Sequence, residues 1–427
     1  MNSCYIYTLG CRLNQCESEA VADSFREAGW TVEKESKDAR LIIVNTCAVT
    51  SNAEQKARRM IRLFSSSSAE CVIVSGCYAE NDREAIGKLG KNIVVFSLKD
   101  KPSLLKIAPY LTEAEEGRLF ERVSSFTERD TDAFSYNPST FSYHSRAYIK
   151  VQDGCDNSCG YCKTTIVRGP SRFLDSDEVV KRVLKLEEEG LHEIMLTGVN
   201  LTNYNHNGDG LGGLMKRLLS ECGDDIRFRL SSMEPDGVDD LLLEQIADRR
   251  VFPHFHIPIQ TASDHVLKII GRKYSISHVE YIIKTLRQIK DDPFIACDVI
   301  AGLPGETDED AEITYRFMVD NDFSAMHVFP YSPREGTPLY NSKLFVEERI
   351  RDERAARLRT LSTRQERFYT ERQLGKSVEI IAEKDGAGTT GNYLKAKIVS
   401  LSSSPIVEGG LYKGTVTSIF PLVVSVD

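Results

Sequence analysis

Tyr148-Ile-Lys-Val-Gln-Asp-Gly-Cys155-Asp-Asn-Ser-Cys159-Gly-Tyr-Cys162 is the stretch on which the reading of this chain turns. A short β-prone run alternates Tyr148, Lys150 and Gln152 with Ile149 and Val151, then ends at Asp153-Gly154. Three cysteines follow at spacing C-x3-C-x2-C, with Tyr161 just before the last. Thiolate is a soft ligand suited to iron, zinc or Cu(I). Three thiolates on one tight loop can hold three irons of a [4Fe–4S] cube and leave the fourth open to chelate a small molecule. A structural zinc site and reduced core cysteines are the alternatives. Zinc sites usually show paired C-x2-4-C units or a fourth His or Cys nearby. This loop has no close fourth ligand, which weighs toward the cluster.

C-x3-C-x-aromatic-C resembles the signature of radical S-adenosylmethionine (SAM) enzymes. The resemblance implies that Cys155, Cys159 and Cys162 ligate a [4Fe–4S] cluster whose open iron binds the amino and carboxylate groups of SAM. It also implies that Tyr161 flanks the cluster and the SAM adenine, and that one electron cleaves SAM to methionine and a 5′-deoxyadenosyl radical.

With 427 residues the chain is long enough for two or three domains with sizeable cores. No run of 18 apolar residues is present, so no membrane span is expected. The opening MNSCYIYTLGCRLNQ lacks a basic region followed by an apolar core, so a cytoplasmic chain without a signal peptide is expected. Eleven cysteines in that setting argue for metal binding rather than disulfides. The net charge of −9 argues against indiscriminate nucleic-acid binding but leaves room for a local basic groove.

Residues 1–110 alternate strand and helix. Tyr5–Leu9, Leu41–Val44, Cys71–Ser75 and Ile93–Phe96 read as strands; Glu17–Ala28, Ser51–Phe64 and about Glu80–Leu89 read as helices. This order predicts a parallel sheet with helices on both faces. Cys11, Cys47 and Cys77 each follow a strand, so they are expected to meet at the carboxyl edge, where such sheets bind ligands. Cys4, Cys16 and Cys71 do not sit at strand ends and read as core. TLGCRLNQCESE, VNTCAVT and VSGCYAE resemble the amino-terminal domain of methylthiotransferases, which are radical SAM enzymes. That resemblance implies a second, auxiliary [4Fe–4S] cluster on Cys11, Cys47 and Cys77, with Asn14 and Asn45 as supporting or merely turn-forming residues.

Residues 111–145 read as an irregular polar linker containing Phe134, Tyr136, Phe141 and Tyr143. From 146 to 374 the strand–helix alternation resumes: Ser176 or Asp177 is the expected cap of the first helix, and about six β/α units suggest a partial TIM-like barrel. Arg229, Ser231, Glu234 and Gln260 are expected at its mouth. His254 and His256 alternate on one strand, but a dyad lacks the third ligand of a metal site. Phe345–Leu374 reads as an Arg-rich, salt-bridged helix. Short strands in 375–427 suggest a small β-barrel, which by position resembles the TRAM domain of methylthiotransferases. The fold class is therefore α/β: an amino-terminal parallel-sheet domain, a partial (β/α)6 radical SAM barrel and a carboxyl-terminal β-barrel.

The resemblance further implies SAM contacts at Thr197, Gly198, Asn200, Gln260 and Gly302. It implies replacement of an aromatic C–H by C–S–CH3 with two clusters and SAM. Thr8–Glu19, Val44–Thr50 and Ser332–Pro338 look most like the branch that modifies threonylcarbamoyladenosine at position 37 of tRNA. Isopentenyladenosine in tRNA and a ribosomal-protein aspartate are the substrates of the other branches. Expected partners are a tRNA anticodon stem-loop, an electron donor such as flavodoxin or ferredoxin, and a sulfur source the sequence does not specify. A non-catalytic iron–sulfur RNA-binding module and a zinc-stabilised α/β protein are the readings from other classes.

Overall fold

The computed structural model describes residues 2–48, 50–137, 145–402 and 404–426. They form two compact units. One gathers the described residues up to 137 with 153–156 and 162–171; the other gathers 145–152, 157–161 and those from 172 onward. Among the described residues no helix is long and apolar enough to cross a membrane.

The first unit runs β1 Ser3–Thr8, α1 Arg12–Glu27, β2 Thr31–Val32, β3 Leu41–Thr46, α2 Ser51–Ser65, β4 Cys71–Gly76, α3 Cys77–Asn81, α4 Arg83–Gly87, β5 Ile93–Val95, α5 Leu104–Leu111 and α6 Leu119–Ser124. Its strands pair in parallel in the order β2-β1-β3-β4-β5. Strands β3 and β4 are buried at every position, which is why they read as unbroken apolar runs instead of alternating ones. Val21 and Phe25 of α1, Ile107 of α5 and Leu119 of α6 pack one side with Leu41, Ile43 and Ile73. Ala57, Ile61 and Phe64 of α2 pack the other with Ile42, Val44 and Val72. Helix α2 starts at Thr50, whose side chain accepts from Ala53 N. The expected helix near 80–89 is two short ones, because Asp82 is non-helical (φ −141°).

The polar segment after 110 is built into this unit. Leu119, Val123, Phe126 and Tyr136 are buried in the same cluster as Phe25 and Ile107. A few apolar residues at irregular spacing suffice once they meet a preformed sheet face, so no periodicity announces them. Phe141 and Tyr143 lie outside the described residues.

The second unit opens with β6 Ala147–Lys150. After the short β7 Gln152–Asp153, α7 Thr164–Arg168 (part of the first unit) and β8 Arg172–Phe173 come α8 Ser176–Glu188, β9 Glu193–Thr197, β10 Asn205–His206, β11 Asp209–Gly210, α9 Leu211–Glu221 and β12 Arg227–Leu230. Then follow α10 Asp240–Ile246, β13 His254–Gln260, α11 Asp264–Ile269, α12 Ile276–Ile289, β14 Phe294–Ala301, α13 Asp308–Asp320, β15 Ala325–Pro330 and α14 Glu348–Glu371. Parallel sheets β6-β9-β12 and β13-β14-β15 are joined by the bridges Phe228–Val251 and Ser232–His256. Six parallel strands thus follow one another in chain order, as a partial (β/α)6 barrel requires. Asp175 caps α8, accepting from the backbone N–H groups of Asp177 and Glu178, in place of the expected Ser176 or Asp177. Thr307 and Asp310 form a capping box on α13.

The last five strands, β16 Ser377–Ala382, β17 Ala387–Thr390, β18 Lys395–Ser400, β19 Leu411–Ile419 and β20 Leu422–Val426, close into a barrel in the order β16-β17-β18-β20-β19. Strand β17 is absent from the sequence expectation because its inward position is Gly388. A Cβ there would lie 2.7 Å from Ile398 and 2.8 Å from Ile380, so the core tolerates no apolar marker. On α14, Arg354 pairs with Glu306 and Asp308 and Arg357 with Glu312, and at its C-cap Arg372 pairs with Asp292 and Asp322, which bears out the salt-bridged reading.

Arg229 departs from expectation. Rather than facing a mouth it is fully buried, paired with Glu193 at 2.7 Å and donating to Gly391 O at 2.8 Å and Thr390 O at 3.3 Å. Its guanidinium lies over Phe252 and Tyr393. The residue ties the carboxyl-terminal barrel to strands β9 and β12. A fork of donors can satisfy several acceptors at once in a way that a point charge cannot.

Candidate active site

Strands β1, β3 and β4 are neighbours, and each delivers one cysteine to the carboxyl edge of the sheet: Cys11 after β1, Cys47 after β3, and Cys77 at the start of α3. Two glycines make this possible. At Gly10 (φ +105°) a Cβ would lie 2.7 Å from Cys47 Cβ and 2.9 Å from its sulfur. At Gly76 (φ +101°) a Cβ would lie 2.3 Å from Thr46 O. Only glycine serves both the positive φ and the close approach.

A buried polar cluster supports these thiols. Asn14 Nδ2 donates to Leu9 O and Thr46 O, fixing the turns that carry Cys11 and Cys47. Asn45 Nδ2 donates to Asn14 O and Ser18 Oγ. Arg168 donates from Nε to Cys77 Sγ (3.3 Å), from Nη1 to Asp153 (2.9 Å) and from Nη2 to Asn14 Oδ1 (3.0 Å), with Glu17 at 3.6 Å. Burial works against its charge. The surrounding Cys77, Asp153, Glu17 and Cys11 outweigh that and hold it protonated well above its ordinary range. Lys101 pairs with Glu17 and donates to Asn45 Oδ1 at 2.8 Å. Burial lowers its pKa, with Glu17 opposing. Cys11 reaches solvent as a residue, yet protein atoms crowd its thiol and raise its pKa, with Arg168 pulling the other way. Cys4 and Cys71, by contrast, are pushed up to about 12 by burial and behave as core hydrophobes, as expected; Cys16 is buried too.

The three-cysteine loop contributes to both units. In the first, Cys155 N donates to Gly169 O (3.0 Å), Thr165 Oγ1 donates to Cys155 O (3.1 Å), and Thr164 N donates to Cys162 Sγ at 3.4 Å. Gly154 (φ +75°) lets the chain run against Pro170, whose carbonyl a Cβ would meet at 2.0 Å. In the second, Cys159 is buried, Gly160 N donates to Ile270 O, and Leu339 N donates to Gly160 O. Tyr161 OH accepts from Arg272 Nη2 at 2.9 Å, and Arg272 is paired with Glu234 at 2.6 Å. Burial raises the Glu234 pKa while Arg272 opposes it.

The other residues singled out in the sequence lie at strand ends of the second unit. Thr197 closes β9. Gly198 admits Gln152, whose Oε1 accepts from Asn200 N at 2.8 Å. Gln260 ends β13 beyond a register shift with φ +63°, a conformation that costs a non-glycine residue about 1–3 kcal/mol and is held where the surroundings fix it. Gly302 (φ +74°) donates to Glu306 Oε1, and the space a Cβ would take is filled by Arg351. Arg168, Lys101 and Arg272 were not singled out in the sequence, and Glu17 lay unremarked inside the TLGCRLNQCESE stretch. An isolated charge in a polar stretch looks like any surface residue until the fold buries it.

Residues 149–318 match the radical SAM superfamily model, and residues 3–97 match uncharacterized protein family UPF0004. The chain is 33% identical to the threonylcarbamoyladenosine tRNA methylthiotransferase MtaB of Treponema pallidum, over 96% of this chain and 95% of that one. This chain belongs to the radical SAM methylthiotransferases. A second methylthiotransferase, MtaB of Bacillus subtilis, is 33% identical over 91% of this chain and 88% of its own length. Among solved structures, the radical SAM methyltransferase TsrM of Kitasatospora setae aligns with TM-score 0.56 at 13% identity, covering 80% of this chain and 77% of its own. That likeness concerns the fold. Membership makes this methylthiotransferase a radical SAM transferase and implies a [4Fe–4S] cluster and SAM. The donor set fits: the loop offers three thiols, and Cys162 already accepts a backbone N–H, the kind of hydrogen bond that stabilises a cluster thiolate.

Proposed function

We propose that this methylthiotransferase converts N6-threonylcarbamoyladenosine at position 37 of tRNA to its 2-methylthio form. The observation that carries this reading is similarity over 91–96% of the chain to proteins of that name, together with three cysteines at one sheet edge beside a buried arginine. Cys155, Cys159 and Cys162 would hold the SAM cluster, and Cys11, Cys47 and Cys77 the auxiliary one. When bound, the SAM cluster would supply the radical, the auxiliary cluster would carry the sulfur, and SAM would give the methyl group. The chain's own residues bind and orient. Arg168 would place positive charge beside an anionic cluster, and Asn14 and Asn45 would hold its turns. Tyr161, Thr197, Gly198, Asn200, Gln260 and Gly302 would line the SAM side of the barrel. A flavodoxin or ferredoxin would supply electrons, and the closed β16–β20 barrel would assist in holding an anticodon stem-loop in the cytoplasm.

The test is nucleoside mass spectrometry of tRNA from a deletion strain, with complementation by wild type and by Cys47→Ala. Loss of 2-methylthio-threonylcarbamoyladenosine, restored by wild type alone, is the expected result. If that nucleoside persists, the substrate assignment is wrong. Loss of the isopentenyl counterpart instead would move the chain to the other tRNA branch.

A further inference from the structure

The sequence offers His254 and His256 as a pair without a third ligand. The fold divides that pair and completes another set. His254 stacks between Phe294 and Tyr393. His256 meets Asp298 of β14 and His327 of β15. Parallel pairing sets Asp298 directly opposite His327 and His256 opposite Ala296, so the three residues project from one face of the three-stranded sheet. Cys297, the neighbour of Asp298, points the other way and touches Met318 of α13. The cluster therefore faces away from α13. His256 Nε2 lies 3.0 Å from Asp298 Oδ1, the His256 and His327 rings are 5.4 Å apart, and one ligand atom from each residue falls within 4.8 Å of the others.

We propose that His256, Asp298 and His327 form a divalent metal site separate from the cysteine sites. Two imidazoles and one carboxylate suit Zn2+ or Fe2+; a site for Mg2+ or Ca2+ would be built of oxygens, and one for Cu(I) of sulfur. Bonds of about 2.0–2.1 Å place tetrahedral ligand atoms roughly 3.3 Å apart, so the set must draw in slightly. His327 is the exposed member and is free to swing, while His256 and Asp298 are already at 3.0 Å. A second observation points the same way. Ser232 Oγ lies 2.6 Å from His256 Nδ1, where it can accept that ring's N–H and leave the Nε2 lone pair aimed at the cluster. Metal-bound histidines typically have such a partner on the other nitrogen. Three protein ligands leave at least one position open to water or to an oxygen of a bound molecule. The assignment rests on unit-internal geometry and is independent of which nucleoside is the substrate.

The test uses cluster-loaded enzyme, freed of loose metal and titrated anaerobically with Co2+ and with Zn2+, with metal analysis and visible spectra. Wild type should bind one equivalent beyond its iron, and the Co2+ form should show d–d bands without new thiolate charge-transfer absorption. His327→Ala, which removes an exposed side chain, and Asp298→Asn should lose that equivalent while keeping their iron. Ser232→Ala should weaken binding about 10–100-fold. No extra equivalent in wild type, or an equivalent that survives His327→Ala unchanged, would overturn the site and leave Ser232–His256–Asp298 as a hydrogen-bonded chain.

Discussion

Arg168→Met is the perturbation that bears most directly on the strand-end cysteines. The guanidinium is buried and donates to Asp153, Asn14 and Cys77, with Glu17 at 3.6 Å. Methionine fills similar space but removes the guanidinium paired with Asp153 and weakens the counter-charge on Glu17. Breaking a buried ion pair from one side costs about 3–5 kcal/mol. Lys101 still faces Glu17, so the lower end applies: about 3 kcal/mol, or roughly 100-fold in the unfolding equilibrium. The same loss removes the positive charge beside Cys77. On the two-cluster reading, anaerobic reconstitution should give about eight irons per wild-type chain and about four for the variant. Arg168→Lys, which keeps the charge but not the fork, should fall between them. The assays are iron and sulfide analysis and urea unfolding, repeated in a Cys11/Cys47/Cys77→Ala background, where Arg168→Met should remove no further iron. The reasoning is refuted if Arg168→Met retains about eight irons and unfolds within about 0.5 kcal/mol of wild type.

Three further outcomes follow from the same network of burial and charge. Arg229→Met leaves fully buried Glu193 with Arg146 at 3.5 Å as its remaining counter-charge and removes the donor to the Gly391 and Thr390 carbonyls, so it should lower the stability of the second unit by about 3 kcal/mol; unchanged denaturant midpoints would count against the tie between barrel and sheet. Burial raises Glu19 to about 8, with Arg26 opposing and Asp23 adding, so the folded chain holds a proton that the unfolded chain gives up near pH 4.5. Stability should therefore fall as pH rises from about 4.5 to 8. Glu19→Gln should gain about 1–3 kcal/mol at pH 8 and nothing at pH 4, read by urea titration. Burial also opposes ionised Asp310, but Ser263, Thr307 and His265 outweigh it and lower that carboxyl to about 2. The capping box thus contributes stability above the ordinary carboxylate range that is lost as pH falls toward about 2, and Asp310→Asn should flatten that acid limb in a pH-dependent melt.

Much of the fold was legible because it is written locally. Continuous apolar runs marked the buried parallel strands β3 and β4, and the spacing of Cys155, Cys159 and Cys162 on one loop needed no knowledge of distant residues. Cys11, Cys47 and Cys77 were legible for a related reason: each follows its own strand, and parallel strands end on the same edge. Strand β17 was not legible, since the barrel core forces glycine at its inward position. Nor was the segment after 110, whose few buried apolar side chains gain meaning only against a formed sheet.

What the sequence by itself determined is therefore the spacing of the cysteines and the order of the elements, both set by periods of a few residues. What only the tertiary structure decided is the company that the polar and thiol side chains keep. Arg168 reaches Asn14 and Cys77 across 154 and 91 positions, and Arg229 crosses 162 to Gly391. His256 finds Asp298 and His327 on neighbouring strands while His254, two residues away, stacks on aromatic rings. Long-range polar pairing leaves no period in a chain, because a charge is as compatible with water as with a partner until packing removes the water.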